Sequence, residues 1–99
     1  MLFETDFYDA RTAQHQELLA RRMRELGEKG SEVTSYEDPN YPGKEFYMIG
    51  DAKVAITDDP VFHAVEIRGN LEAREEARRR ITRLTKVPLF QVKAEEARV

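Results

Sequence analysis

Two histidines carry the only side chains in the chain with an ordinary pKa close to neutral pH. His15 falls on the same helical stripe as Leu19. His63 shares a strand face with Val65 and Ile67. Because a histidine on an apolar face is more often a packing residue than a base or a ligand, we expect neither to be catalytic. A small enzyme that uses His15 or His63 is therefore the least favoured of three functional hypotheses.

Candidate ligands for a metal ion or a phosphate group are few. Asp58 and Asp59 stand side by side before Pro60, a pattern typical of a turn, without the spaced oxygen ligands of a calcium loop. The chain has no cysteine, which excludes disulfides and thiolate zinc sites. Its glycines are isolated and lack the spacing that cradles a phosphate. We therefore expect no cofactor, no metal site and no catalytic residues.

The residues from 70 to 86 form the most strongly charged stretch, with five arginines and one lysine against three glutamates. At helical spacing, Ala73, Ala77, Ile81 and Leu84 share one apolar stripe. Glutamates precede arginines by four residues, the favourable order for exposed ion pairs, so the pattern favours an ordinary solvated helix. The alternative is a nucleic-acid-binding patch shared with the first helix. The residues expected to form that patch are Arg21, Arg24, Arg79, Arg83 and Lys86.

Four of the nine aromatic residues fall between residues 35 and 48, in the stretch SYEDPNYPGKEFYM. One interpretation is that Phe46 or Tyr47 packs in the core while the other aromatics decorate a hairpin. The second is a recognition loop, because tyrosine on a loop restricted by prolines offers a large contact area at low entropic cost. The predicted protein-binding residues are Tyr36, Tyr41 and Tyr47.

The elements that must position these residues follow from the period of the apolar pattern. A period of two predicts strands over 2–8, 31–37, 45–49, 61–69 and 89–93, and a hairpin over 48–56 that turns at Gly50–Asp51. A helical period predicts helices over 9–30 and from 70 to about 87, with these boundary residues: Asp9 or Thr12, Gly27 or Gly30, Asn70 and Val87. The order β-α-β-β-β-β-α-β predicts an α+β fold, an antiparallel sheet of about four to six strands with both helices packed on one face.

The chain has 99 residues, of which 40% are hydrophobic and 35% are charged, and its net charge is −3. This length predicts a single α+β domain over residues 1–99, with 94–99 as a frayed tail. The first residues are acidic where a secretory signal is basic, and no run approaches the roughly 18 apolar residues of a membrane span. We therefore expect a cytoplasmic protein that does not enter a membrane.

A patterned core, no catalytic motif and an aromatic loop favour a small non-catalytic protein-interaction module, an accessory, regulatory or inhibitory factor. Its partner would be another protein or a second copy of the chain, which would make a homo-oligomer such as a homodimer. Nucleic acid is the less favoured partner, since the chain is acidic overall.

Overall fold

The computed structural model describes residues 4–42, 44–56 and 64–92. The strands are β1 (Glu4–Asp9), β2 (Thr34–Tyr36), β3 (Glu45–Ile49), β4 (Ala52–Ile56), β5 (Ala64–Gly69) and β6 (Phe90–Val92), and the helices are α1 (Ala13–Lys29) and α2 (Leu71–Thr85). All strand pairs are antiparallel in one six-stranded sheet of order β2-β3-β4-β5-β1-β6. The predicted α+β class and element order are confirmed. The tail expected over 94–99 lies outside the described residues.

Helix α1 begins at Thr12, whose hydroxyl accepts a hydrogen bond from the backbone N–H of His15 at 3.1 Å. It ends at Gly30, which takes the left-handed conformation with φ of 67°. Both residues were among the predicted boundaries. His15, however, is exposed, and Gln16 takes the buried place beside Leu19. The prediction that His15 lies on the apolar stripe was wrong. The buried side of the helix is centred between Leu19 and Met23, and Gln16 lies closer to that centre than His15 does.

Helix α2 begins at the predicted cap, since the Asn70 side chain accepts a hydrogen bond from the Ala73 N–H at 2.8 Å. It ends at Lys86, a left-handed residue with φ of 62°, slightly before the predicted end at Val87. Val87 is instead buried, and its N–H donates to the Thr85 hydroxyl at 3.2 Å. The chain therefore leaves the helix by packing an apolar side chain back onto the core.

Both helices pack on one face of the sheet, which we call the covered face. Their buried residues Leu19, Met23, Ala77 and Ile81 belong to the same hydrophobic cluster as alternating residues of the central strands. The strand residues of that cluster are Tyr8, Tyr47, Ile49, Ala52, Val54, Ile56, Val65 and Ile67. The β3–β4 hairpin brings Ile49 opposite Ala52, with Gly50 at φ of 58° in the first turn position, as primed turns require.

No helix in the described part of the chain is long and apolar enough to cross a membrane.

Candidate functional site

The second face of the sheet, which we call the open face, has neither of the two described helices packed on it. Two rows of side chains cross it, each made of residues that are opposite one another in the strand register. The aromatic row consists of Tyr36, Phe46, Ala55, Glu66, Phe7 and Val92. The cationic row consists of Thr34, Met48, Lys53, Arg68 and Thr5. The aromatic rings of Tyr36 and Phe46 therefore lie in one row, and the two cations Lys53 and Arg68 lie in the neighbouring row.

Three aromatic rings meet at the β2 end of the open face, and we call them the aromatic cluster. The rings of Tyr36 and Phe46 stack with centroids 5.3 Å apart and an interplanar angle of 28°. Tyr41 approaches Phe46 edge-on, with centroids 6.2 Å apart. Both arrangements are favourable for aromatic pairs. At the opposite edge, the Arg11 guanidinium lies 3.7 Å from the centroid of the Phe90 ring, so a side chain of the protein itself covers that end.

Short-range hydrogen bonds within the loop that carries Tyr41 fix the shape of that loop. The Asp38 carboxylate accepts from the N–H of Asn40 at 2.9 Å, and the Asp38 carbonyl accepts from the N–H of Tyr41 at 3.1 Å. Lys44 then places its ammonium group 5.6 Å from the Tyr41 ring centroid and 3.8 Å from a carboxylate oxygen of Glu66. The loop is thereby turned back toward β3, yet Tyr41 remains 55% exposed.

A shallow depression of about 270 Å³ lies beside the aromatic cluster. Its lining residues are Thr5, Tyr36, Asp38, Tyr41, Lys44, Phe46, Lys53, Val54, Ala55, Glu66 and Arg68. Ala55 lies between the larger side chains of Phe46 and Glu66 and is only 7% exposed, as expected for a residue at the floor of the depression. The volume is at or below the lower end of the range for small-molecule and cofactor sites, about 300–1,000 Å³.

The predicted protein-binding tyrosines are divided between the two faces. Tyr36 and Tyr41 belong to the aromatic cluster, whereas Tyr47 is 2% exposed in the core of the covered face. Burial, followed by the Glu45 carboxylate that accepts the Tyr47 hydroxyl hydrogen at 3.2 Å, raises the pKa of Tyr47. Burial and then the Asp38 charge raise the pKa of Tyr36. Both phenols therefore remain neutral donors at ordinary pH, and only Tyr36 and Tyr41 are placed to meet a ligand.

Phe46, Lys53 and Arg68 belong to the candidate site but are not among the residues predicted from the sequence. Phe46 lies next to buried Tyr47, and Lys53 and Arg68 lie next to buried Val54 and Ile67. Because side chains alternate along a strand, residues beside core positions must point to the other face. This alternation places all three residues on the open face, but only because Tyr47 and not Phe46 lies in the core.

The cations expected to form a nucleic-acid-binding patch lie on the outer surface of the helices, and three of the five are held by carboxylates. The ion pairs are Arg24–Glu45 at 3.1 Å, Arg79–Glu76 at 3.0 Å and Arg83–Glu32 at 2.8 Å. Hydrogen bonds from Arg79 and then from Arg80 lower the pKa of Glu76. Arg21 and Lys86 are exposed. Three of the five cations expected in the patch are thus paired within the protein, and two are not.

The histidines and the paired aspartates are not brought to this site. His15 is exposed in the first turn of α1, and His63, Asp58 and Asp59 lie outside the described residues. Within residues 4–42, 44–56 and 64–92, no group of three or more histidine, aspartate or glutamate side chains is arranged to hold a metal ion.

Comparisons of the chain with protein-family models, curated proteins and solved structures found no match.

Proposed function

We propose that the protein is a non-catalytic binding module that recognises another protein through the aromatic cluster on the open face. The observation that carries the proposal is the packing of Tyr36, Phe46 and Tyr41 against one another at a solvent-facing position, on the side of the sheet away from both helices. Aromatic side chains that are already ordered are the usual anchors of protein interfaces. A second copy of the chain would also count as such a partner.

The cluster is suited to binding because little freedom remains to be lost. Stacking on Phe46 restricts Tyr36, and the hydrogen bonds of Asp38 restrict the loop before Tyr41. Pro39 and Pro42 fix their own backbone angles and donate no amide hydrogen, so the loop cannot continue either flanking strand. A partner that docks here would pay a smaller entropic cost than on a mobile loop.

A protein partner fits this site better than a small molecule. The depression beside the cluster is shallow and about 270 Å³ in volume, whereas ligand-binding cavities typically enclose most of their ligand. A nucleic acid would use the helix arginines, but Arg24, Arg79 and Arg83 already neutralise carboxylates of the protein itself. The nucleic-acid alternative is therefore kept as an outcome of the test.

Site-specific photocrosslinking tests the proposal directly. Replacing Tyr41 by p-benzoylphenylalanine places a reactive group at the aromatic cluster, in a lysate of the source cells. Leu71 is the matched control, because it is 60% exposed against 55% for Tyr41 and starts the helix on the other side of the sheet. We expect a nuclease-resistant protein adduct from position 41 and none from position 71.

Tyr41→Ala completes the test with the captured partner. The substitution should weaken binding by about 1–2 kcal/mol, the range of an interface anchor, and leave the melting temperature nearly unchanged. Equal adducts from both positions would place the interface elsewhere. Adducts that consist of nucleic acid would favour the alternative partner.

A further inference from the structure

Lys53 and Arg68 are directly opposite each other in the register of β4 and β5, and both are exposed on the open face. Residues in such a position have Cβ atoms about 4.5–5.5 Å apart, and two like charges there destabilise the strand pair. The repulsion is not relieved by the neighbours in the cationic row, because Met48 and Thr5 carry no charge. The folded protein therefore carries a local electrostatic repulsion between two cations on the open face.

The carboxylate in the neighbouring row forms its ion pair with a different cation. Glu66 lies in the aromatic row and forms its ion pair with Lys44, at 3.8 Å. Among the residues that the structure describes, neither Lys53 nor Arg68 forms an ion pair. The helix arginines contrast with this pair, since Arg79, Arg80 and Arg83 each have a carboxylate within 3.0 Å.

We propose that Lys53 and Arg68 together bind a carboxylate of the protein partner, so that the recognised segment combines acidic with apolar side chains. This inference rests on the proposed function and specifies the chemistry of the partner. A carboxylate between the two cations would turn a repulsive pair into two attractive ones, and the guanidinium can hold it through two parallel hydrogen bonds. The apolar side chains of the segment would meet Phe46 and Tyr36.

The spacing of the two rows suits such a segment. Residues two apart on a strand are separated by roughly 6.6 Å, so the rows run side by side at about that distance. The aromatic row crosses six strands, which is five spacings of about 4.8 Å, or roughly 24 Å. An extended segment of about seven residues covers that length. Such a segment can point some side chains at each row.

The charge balance of the depression favours a few carboxylates over a polyanion. Its lining holds three cations, Lys44, Lys53 and Arg68, against Asp38 and Glu66, which gives a net charge of +1. A phosphate backbone carries one charge per nucleotide and would meet both carboxylates. One or two acidic side chains can instead be placed at Lys53 and Arg68, one row away from Glu66. An acidic protein segment is the better match.

Selection from a displayed library of random peptides tests the inference with the intact chain. We expect peptides enriched on the wild-type protein to carry aspartate or glutamate close to aromatic or aliphatic residues. The double variant Lys53→Gln with Arg68→Gln should lose the acidic enrichment, and an enriched acidic peptide should bind it at least tenfold more weakly. The control is Arg21→Gln with Lys29→Gln, which removes the same charge from the exposed surface of α1 and should change neither result.

The outcomes separate this inference from the proposed function when Phe46→Ala is included. Two results would overturn carboxylate binding by Lys53 and Arg68 and leave the aromatic cluster standing. One is enrichment of neutral or basic peptides, and the other is acidic peptides that bind the double variant as tightly as the wild type. Acidic enrichment that is lost in the double variant but unchanged in Phe46→Ala would overturn the aromatic cluster as the binding surface. Tighter binding of a fifteen-nucleotide thymidine strand than of any peptide, or no enrichment at all, would overturn both.

Discussion

The two faces of the sheet are built from alternating residues of the same strands, yet they satisfy opposite requirements. On the covered face, Tyr47, Val54 and Ile67 are register partners and are at most 2% exposed beneath the helices. On the open face, their sequence neighbours Phe46, Lys53 and Arg68 remain accessible. The covered face gains its stability from the burial of apolar area, whereas the open face leaves an aromatic cluster and two cations accessible to solvent.

Charge is treated differently on the two faces. On the covered side, Arg74 is only 6% exposed, and its guanidinium pairs with Asp6 at 2.7 Å and Glu4 at 3.4 Å. On the open side, Lys53 and Arg68 face each other without such partners among the described residues. A buried charge must be paired because its desolvation is costly, while an exposed like-charge pair is tolerable at a modest cost. This difference makes the open face the stronger candidate for binding.

The sharpest comparison is between Tyr47 and Phe46, which are adjacent in sequence and on opposite faces. Tyr47→Ala should lower the free energy of unfolding by about 3–5 kcal/mol, because it empties a site in the core. Phe46→Ala should lower it by about 1 kcal/mol, because its ring is only partly buried against Tyr36. Urea unfolding of both variants checks the prediction. Equal losses would mean that the open face is also a core in solution, as in a dimer.

Removal of Arg74 tests the charge contrast. Arg74→Ala should cost about 2–3 kcal/mol, somewhat less than a fully buried pair, because Glu4 can return to water while Asp6 is left largely buried. Arg74→Met combined with Asp6→Asn should cost less than Arg74→Ala alone, since no largely buried charge is then left unpaired and Glu4 is exposed to water. Thermal unfolding of both variants measures the difference. A double variant that is no more stable than the single would contradict a penalty from the stranded carboxylate.

Local sequence signals are enough to predict the helices, strands and turns. They are not enough to predict which face of the sheet each side chain occupies. Thr12, Gly30 and Asn70 are caps whose roles depend on neighbouring residues alone, and the Gly50–Asp51 turn is equally local. The stretch EFYMI, by contrast, offers aromatic and aliphatic residues to both sides. The register with β4 decides which side is covered, and this pairing depends on residues distant from the stretch itself.

The same limit explains why the residues of the candidate site are only partly predictable from the sequence. Tyr36 and Tyr41 stood out as aromatics around a loop, but Tyr47 was included because nothing local separates it from Phe46. Lys53 and Arg68 are unremarkable in sequence, fifteen positions apart, and become a pair only when β4 and β5 align. In the sequence, Arg74 likewise looks like a solvent-exposed arginine of the charged helix. Only the fold brings it into contact with Asp6 of β1.

Alkaline pH offers a test of the covered face that requires no loss of packing. Burial and Glu45 raise the pKa of Tyr47 in the folded protein above the ordinary value near 10. The unfolded chain therefore ionises first, so the stability from the neutral phenol is present below about pH 10 and declines as pH rises further. Tyr47→Phe should flatten that decline between pH 9 and 11 relative to wild type.

The control for this test is Tyr41→Phe, which removes an exposed phenol from the open face. It shows how far the loss of any tyrosine hydroxyl changes the alkaline profile of the unfolding free energy. Burial also raises the pKa of Tyr8 on the covered face and of Tyr36 on the open face, so part of the decline should persist in Tyr47→Phe. A profile that changes more with Tyr41→Phe than with Tyr47→Phe would contradict the assignment of the two tyrosines to their faces.

The smallest effect is expected from the outer surface of the helices, which belongs to neither face of the sheet. Arg79→Ala with Arg83→Ala removes two exposed ion pairs, and such pairs contribute little because water screens them. Stability should change by less than about 1 kcal/mol, and binding to a captured protein partner should be unchanged. The measurement is urea unfolding together with the affinity at two salt concentrations. If the variant instead loses affinity for nucleic acid and the salt dependence of that affinity falls, the helix arginines contact phosphate, and the open face is not the main binding surface.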